Sequence, residues 1–248
     1  MKAASVQSEI LPDLSSGFGR LKPRERRFPD HIPTGVPQFD SVLGGLPRGV
    51  VTEIAGHPSS GRTSLMLSAL ASATENEEVC AFVDATDSFD VVSANAAGIE
   101  LDRLLWVRCA SNVEHAFKVA DFLLHGGGFG LIVLDIGDVA PDFTSRIVSS
   151  WWYRFRRAVE DKPTAFVVIS QTSCVKSAAS LAVELSKDQE AWTAASDPLK
   201  RKPTPNHSIS NLLRGMRLRV EKRRPAHLLT GRIEFATQVS YQANWCIS

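Results

Sequence analysis

The sequence has no apolar run near the roughly 18 residues that a membrane helix requires, and no hydrophobic stretch follows the lysine of its first segment, MKAASVQSEILPDL. Membrane insertion and secretion are therefore not indicated, and the cytoplasm is the expected compartment. Cysteine is also scarce. Cys80, Cys109, Cys174 and Cys246 show no C-x-x-C spacing, and the first two sit in or beside apolar segments, which argues against zinc and for buried thiols. Net charge is nearly absent too, at +1, but this conceals a division: residues 51–199 carry 11 basic and 20 acidic side chains, whereas 200–232 carry 10 basic ones against Glu221 alone. Such asymmetry points to an anionic partner such as nucleic acid, or to an acidic protein surface, with a solvated basic face as the alternative.

What is present is enough apolar material, 44% of 248 residues, for one full-sized core. Residues 1–31 lack periodicity and read as an arm-like leader, leaving a core domain over 32–248. Within it, VVTEIAG, VCAFVDA, LLWVRC, LIVLDIG and AFVVISQ are short apolar runs alternating with helical patterns such as TSLMLSALASA and VEHAFKVADFLL. Near-continuous apolar strands separated by helices predict an α/β fold with a parallel sheet covered on both faces. A polar segment at about 172–207 reads as a long surface loop in which only SLAVELSKDQEAW offers a helix. The basic region at about 210–240, MRLRVEKRR then TGRIEFATQVS, alternates apolar and polar residues and predicts an antiparallel strand pair that extends the sheet.

One motif carries chemistry. GHPSSGRTS meets the phosphate-loop pattern G-x-x-x-x-G-K-[ST] except at Arg62, and it lies between a predicted buried strand and a helix. In that setting backbone N–H groups and the helix dipole form an anion cradle from Gly56, Ser59, Ser60, Gly61, Arg62, Thr63 and Ser64, with the Thr63 hydroxyl a candidate Mg²⁺ ligand. Arginine keeps the charge of lysine but not its compact shape. Asp135, ending LIVLD, is the candidate second acidic element for Mg²⁺; a strand-end carboxylate facing water is the plain alternative. The helix-like segment containing Trp151, Trp152, Tyr153 and Phe155 among arginines admits two readings, a buried aromatic face or a stacking platform for single-stranded bases.

From Ile32 to Gln171 the chain resembles the RecA recombinase core, on IPTGVPQFDSVLGGLPRGVVTEIAGHPSSGRTSL, CAFVDATDSFD, AGIELDRLLWVR, LIVLD and VVISQ. The resemblance implies a RecA-like P-loop three-layer sandwich and ATP with Mg²⁺ as candidate cofactors. It also exposes departures. Thr86 stands where the family carries the glutamate that polarises the attacking water, and a hydroxyl is no base at neutral pH. Asp87 is adjacent, but one residue along an extended chain reverses the side chain. Ser93 replaces the adenine-stacking tyrosine. Gln171 matches the glutamine that senses the γ-phosphate and relays it to a DNA-binding loop, so Asp87 and Gln171 are the candidate catalytic residues. Lys222 and Arg224 match residues that reach a neighbour's nucleotide across a filament interface. With Arg223, Arg217 and Arg219 they form the candidate DNA or interface set. No counterpart of the family's C-terminal domain is recognised and the leader aligns poorly, so an autonomous long filament is not expected.

A short RecA-like chain with these losses is similar to the ImuA-type accessory proteins of bacterial mutagenesis cassettes. That resemblance implies a role in damage-induced translesion synthesis within the SOS response, with little or no ATP hydrolysis. The implied partners are an inactive Y-family polymerase homologue, a RecA-type recombinase and single-stranded DNA, with nucleoid association when engaged. Two alternatives stay open at this point: an active DNA-stimulated ATPase or recombinase using Asp87, and a RecA-fold regulator of another pathway such as cell division.

Overall fold

The structure, a computed structural model, describes residues 30–192, 213–224 and 230–236. Most of the expected leader (residues 1–29), the end of the expected loop (193–207) and Cys246 lie outside the described residues. In chain order the elements are β1 (His31–Ile32), α1 (Pro37–Leu43), β2 (Leu46–Pro47), β3 (Val51–Gly56), α2 (Arg62–Glu75), β4 (Cys80–Asp84), α3 (Val91–Ala96) and β5 (Leu104–Arg108). They continue with α4 (Val113–Gly126), β6 (Leu131–Ile136), α5 (Pro141–Thr144), α6 (Ser149–Val159), β7 (Ala165–Ser170), β8 (Leu181–Trp192), β9 (Leu213–Arg224) and β10 (Thr230–Ala236).

β1 and β2 form a small antiparallel ribbon, and the other strands form one sheet in the order β10-β9-β8-β3-β7-β6-β4-β5. The six strands from β8 to β5 are parallel, and β9 and β10 add antiparallel at one edge. This is the expected α/β sandwich with its antiparallel extension. Every residue of β3, β4, β6 and β7 is buried because both faces are covered. Alternation divides the strands between two cores. Ile132, Leu134, Phe166 and Val168 face Phe117 of α4 and Trp152 and Phe155 of α6. Leu131, Val133, Val167 and Ile169 face Phe39 of α1, Leu65, Met66 and Leu70 of α2 and Ala94 of α3. Among the described residues no helix is long and apolar enough to cross a membrane.

Of the aromatic segment, Trp152 and Phe155 form the buried face of α6, Trp151 is half-buried and Tyr153 is exposed. Trp152 and Phe155 are inaccessible and meet Phe117 and Phe166 at ring separations of 5.0–5.4 Å, while Arg154, Arg156 and Arg157 are exposed. Cys80, Cys109 and Cys174 are buried free thiols.

The reading of 172–207 needs correction. SLAVELSKDQEAW is strand rather than helix: β8 pairs in parallel with β3 and antiparallel with β9. Leu181, Val183 and Leu185 enter the α2-side core and Ala182 the other, a period of two that pairing on both sides imposes over the helix propensity of Ala, Glu, Leu and Lys. The connection before β8 is likewise no surface loop, since Cys174, Val175, Ala178 and Ala179 are buried in the α4–α6 core.

Candidate functional site

Parallel strands end together, so the segments after β3, β4, β6 and β7 share the carboxyl edge of the sheet, where ligands of such folds bind. Register makes this concrete: Asp84 is paired with Asp135, Ile136 with Ser170, and Ala55 with Ser170. The phosphate loop leaves the same edge from Gly56.

That loop has the expected backbone form. Gly61 precedes α2 with φ of 84°, a left-handed conformation that glycine adopts without strain, and Ser59 also has positive φ at 64°. The Ser60 N–H donates to the His57 carbonyl at 3.0 Å. The Ser60 hydroxyl turns inward against Gly56, buried and without a hydrogen-bond partner. Thr63 and Ser64 are exposed on the first turn of α2.

Arg62 departs from expectation. Its guanidinium turns into the protein, with 6% of the residue exposed. Nη1 donates to the carbonyl of Gly56, the last residue of β3, and Nη2 donates to the Gly137 carbonyl at 2.9 Å and to Asp138 Oδ1 at 2.7 Å. A Cβ on Gly137 would lie 2.8 Å from Arg62 Nε, so the guanidinium rests on bare backbone. Charge at this position therefore clamps the phosphate loop to the turn after β6.

The carboxylates divide by role. Asp135 is buried and accepts from the Gly137 N–H at 2.8 Å. Burial pushes its carboxyl up to about 6; Asp138 and Asp84 add to the rise, and the Gly137 N–H and Arg62 oppose it. Asp84, which the sequence reading passed over, accepts from the N–H groups of Thr86, Ser88 and Phe89 and from Trp106 Nε1 at 2.9–3.3 Å. It holds the turn after β4 in place. Thr86 lies in that turn, its hydroxyl 3.4 Å from Ser88 Oγ. Asp87 has φ of 60° and accepts from Arg108 Nη2 at 3.2 Å and the Ala110 N–H at 3.3 Å. It thus leans toward β5, four strands from β3 and roughly 19 Å away at ordinary strand spacing. Ser93 serves the N-terminus of α3, donating to the capping carboxylate of Asp90, which these bonds hold below the usual range.

Gln171 directly follows β7, half-buried at the same carboxyl edge. A second residue that sequence reading missed holds the segment that follows Gln171. Glu53 is buried within β3 and accepts from Ser173 Oγ at 2.7 Å and from the N–H groups of Cys174 and Val175 at 2.6 and 2.9 Å, tying the segment after Gln171 to the strand that feeds the phosphate loop. A lone charge in the apolar run VVTEIAG was the available signal, because buried charge demands partners. On β9, Arg217, Arg219, Lys222 and Arg224 pair in register with Gln189, Ser186, Val183 and Ala182 of β8, and a bulge falls at Arg223. These positions lie on the added edge of the sheet, beyond β8 from the phosphate loop.

The loop and helix N-terminus retain the outline of an anion cradle, but its side-chain cation is engaged within the protein. The loop's cation is committed to three internal acceptors, and its partner at Asp138 is itself an anion. Among the described residues no three His, Cys, Asp or Glu side chains converge to hold a metal ion.

A family model described as the RecA N-terminal domain matches residues 20–143. The chain is 33% identical over 168 residues to Protein RecA of Leifsonia xyli subsp. xyli, an overlap covering 61% of this chain and 47% of that one. It is 44% identical over 108 residues to Protein RecA of Methylococcus capsulatus, covering 43% and 31%. For Protein RecA of Cutibacterium acnes the figures are 43% over 156 residues, covering 56% and 44%. The chain thus spans about half, or less, of the length of these curated relatives.

Proposed function

Because the chain belongs to the RecA N-terminal domain family, its site departing from that family's chemistry, we propose that it is a catalytically eroded RecA-like accessory protein of damage-induced mutagenesis. It acts through protein partners and single-stranded DNA in translesion synthesis, with weak or no ATP hydrolysis. The observation that carries the reading is the inward Arg62, which places the loop's charge on Gly56, Gly137 and Asp138. Thr86 supports it, since a hydroxyl at the position of the water-activating glutamate cannot take a proton. A fold that serves docking tolerates both changes, because neither disturbs the sheet or its two cores.

The partners that fit this role are an inactive Y-family polymerase homologue and a RecA-type recombinase. The β9 residues Arg217, Arg219, Lys222, Arg223 and Arg224 are the candidate contact for DNA or a partner. ATP and Mg²⁺ remain the cofactors that the family implies, with Thr63 and Asp135 the residues that would meet the metal; no step is assigned to them.

Deleting the gene from a bacterial host that carries it, and measuring mutation frequency and recombination after ultraviolet damage, tests the role. Induced mutation should fall while recombination is unchanged. Lost recombination with normal mutagenesis would instead favour an active recombinase, and no change in either would favour a regulator of another pathway.

A further inference from the structure

We propose that Asp138 determines whether the loop accepts a polyphosphate: its carboxylate is an internal anion that neutralises Arg62, the loop's cation. The inference rests on the reading of the site as non-hydrolysing and assigns the exclusion to one residue.

The geometry is specific. Arg62 Nη2 is shared between the Gly137 carbonyl and Asp138 Oδ1, and Nη1 reaches back to Gly56, so the guanidinium spans from the end of β3 to the turn after β6. Two of those acceptors are backbone and would meet an arginine here whatever side chain followed. Of the three acceptors Asp138 alone carries charge, and its side chain is 53% exposed. Gly137 gives the guanidinium its resting place, because any Cβ there would press on Nε and Nη2. An incoming polyphosphate therefore meets no free cation at this position. The cation that should receive it is half of a pair with no net charge, and the Asp135 and Asp84 carboxyl groups stand behind that pair. Asp138 lies three residues beyond the strand-end Asp135 and has no place in the phosphate-loop pattern.

Substitution separates the two halves. Asp138→Asn keeps the side chain's size, removes the charge, and leaves Arg62 both carbonyl acceptors, so folding should persist. Asp138→Ala removes the acceptor altogether. Asp142→Asn deletes an exposed carboxylate from the next helix and touches nothing at Arg62. Equilibrium binding of Mg-ADP, followed calorimetrically on the full chain, should tighten by about tenfold or more in both Asp138 variants and remain unchanged in Asp142→Asn. Unchanged affinity in both Asp138 variants would overturn the proposal, as would an equal gain in Asp142→Asn. Phosphate release is scored separately. Turnover by the unsubstituted chain would refute the non-hydrolysing reading, whereas silent Asp138 variants without turnover would refute only the role of Asp138.

Discussion

If Arg62 is a clamp, removing it should unfold the protein more easily, whereas an arginine waiting for phosphate could be removed at little cost. Arg62→Ala leaves the Gly56 and Gly137 carbonyls without their side-chain donor. An unsatisfied buried acceptor costs about 1–3 kcal/mol, and the lower half of that range applies where loop-edge water can enter. The ion pair adds little, because Asp138 is half exposed and pairs of that kind are worth about 0–1 kcal/mol. The expected loss is therefore about 2–4 kcal/mol for Arg62→Ala. For Arg62→Lys, whose single ammonium cannot span all three acceptors, it is about 1–2 kcal/mol, and for Asp138→Asn under about 1 kcal/mol. Urea unfolding at neutral pH, with the slope m checked for constancy, measures all three. Arg62→Ala within about 0.5 kcal/mol of the unsubstituted chain would refute the clamp.

Other consequences follow from the neighbouring carboxylates and the basic edge. Asp135, its carboxyl raised to about 6 by burial, binds protons in the folded chain that the unfolded chain has already released, so its contribution to stability falls as pH rises from about 4 to 6. Asp135→Asn can keep the bond from the Gly137 N–H while removing the ionisation; it should add about 1–3 kcal/mol above pH 6 and flatten the slope, and an unchanged slope would contradict this. Asp84→Ala strands three amide donors in the turn after β4 and the Trp106 indole N–H of β5, and should cost about 3–5 kcal/mol in the same urea assay; a loss below about 1 kcal/mol would show the turn to be held otherwise. Replacing Lys222, Arg223 and Arg224 by glutamine should reduce the salt slope of single-stranded DNA binding by about 0.7 for each phosphate no longer neutralised, and an unaltered slope would return β9 to a solvated strand or a protein-binding one.

The parallel core was legible because β3, β4, β6 and β7 are buried on both sides and so read as unbroken apolar runs. β8 was not, since its Ala, Glu, Leu and Lys favour helix and only pairing with β3 and β9 decides otherwise. The same distinction divides the site. Spacing located the phosphate loop, and the strand-loop-helix context located α2 behind it. The direction of Arg62 depends on Gly137 and Asp138, more than 70 residues along the chain, which meet the loop only after β6 enters the sheet near β3. Asp87 shows the converse. Its nearness in sequence to Thr86 suggested a displaced base, but a positive φ turns it toward Arg108. Asp84 and Glu53 look like isolated acids in apolar strands until their amide donors are in view.

On the proposed function the RecA fold serves here as a docking scaffold without ATP turnover. Phosphate release by the purified chain with ATP, Mg²⁺ and single-stranded DNA is the measurement that decides it. No release above that of a Thr63→Ala control is predicted; sustained turnover that the control abolishes would contradict the account.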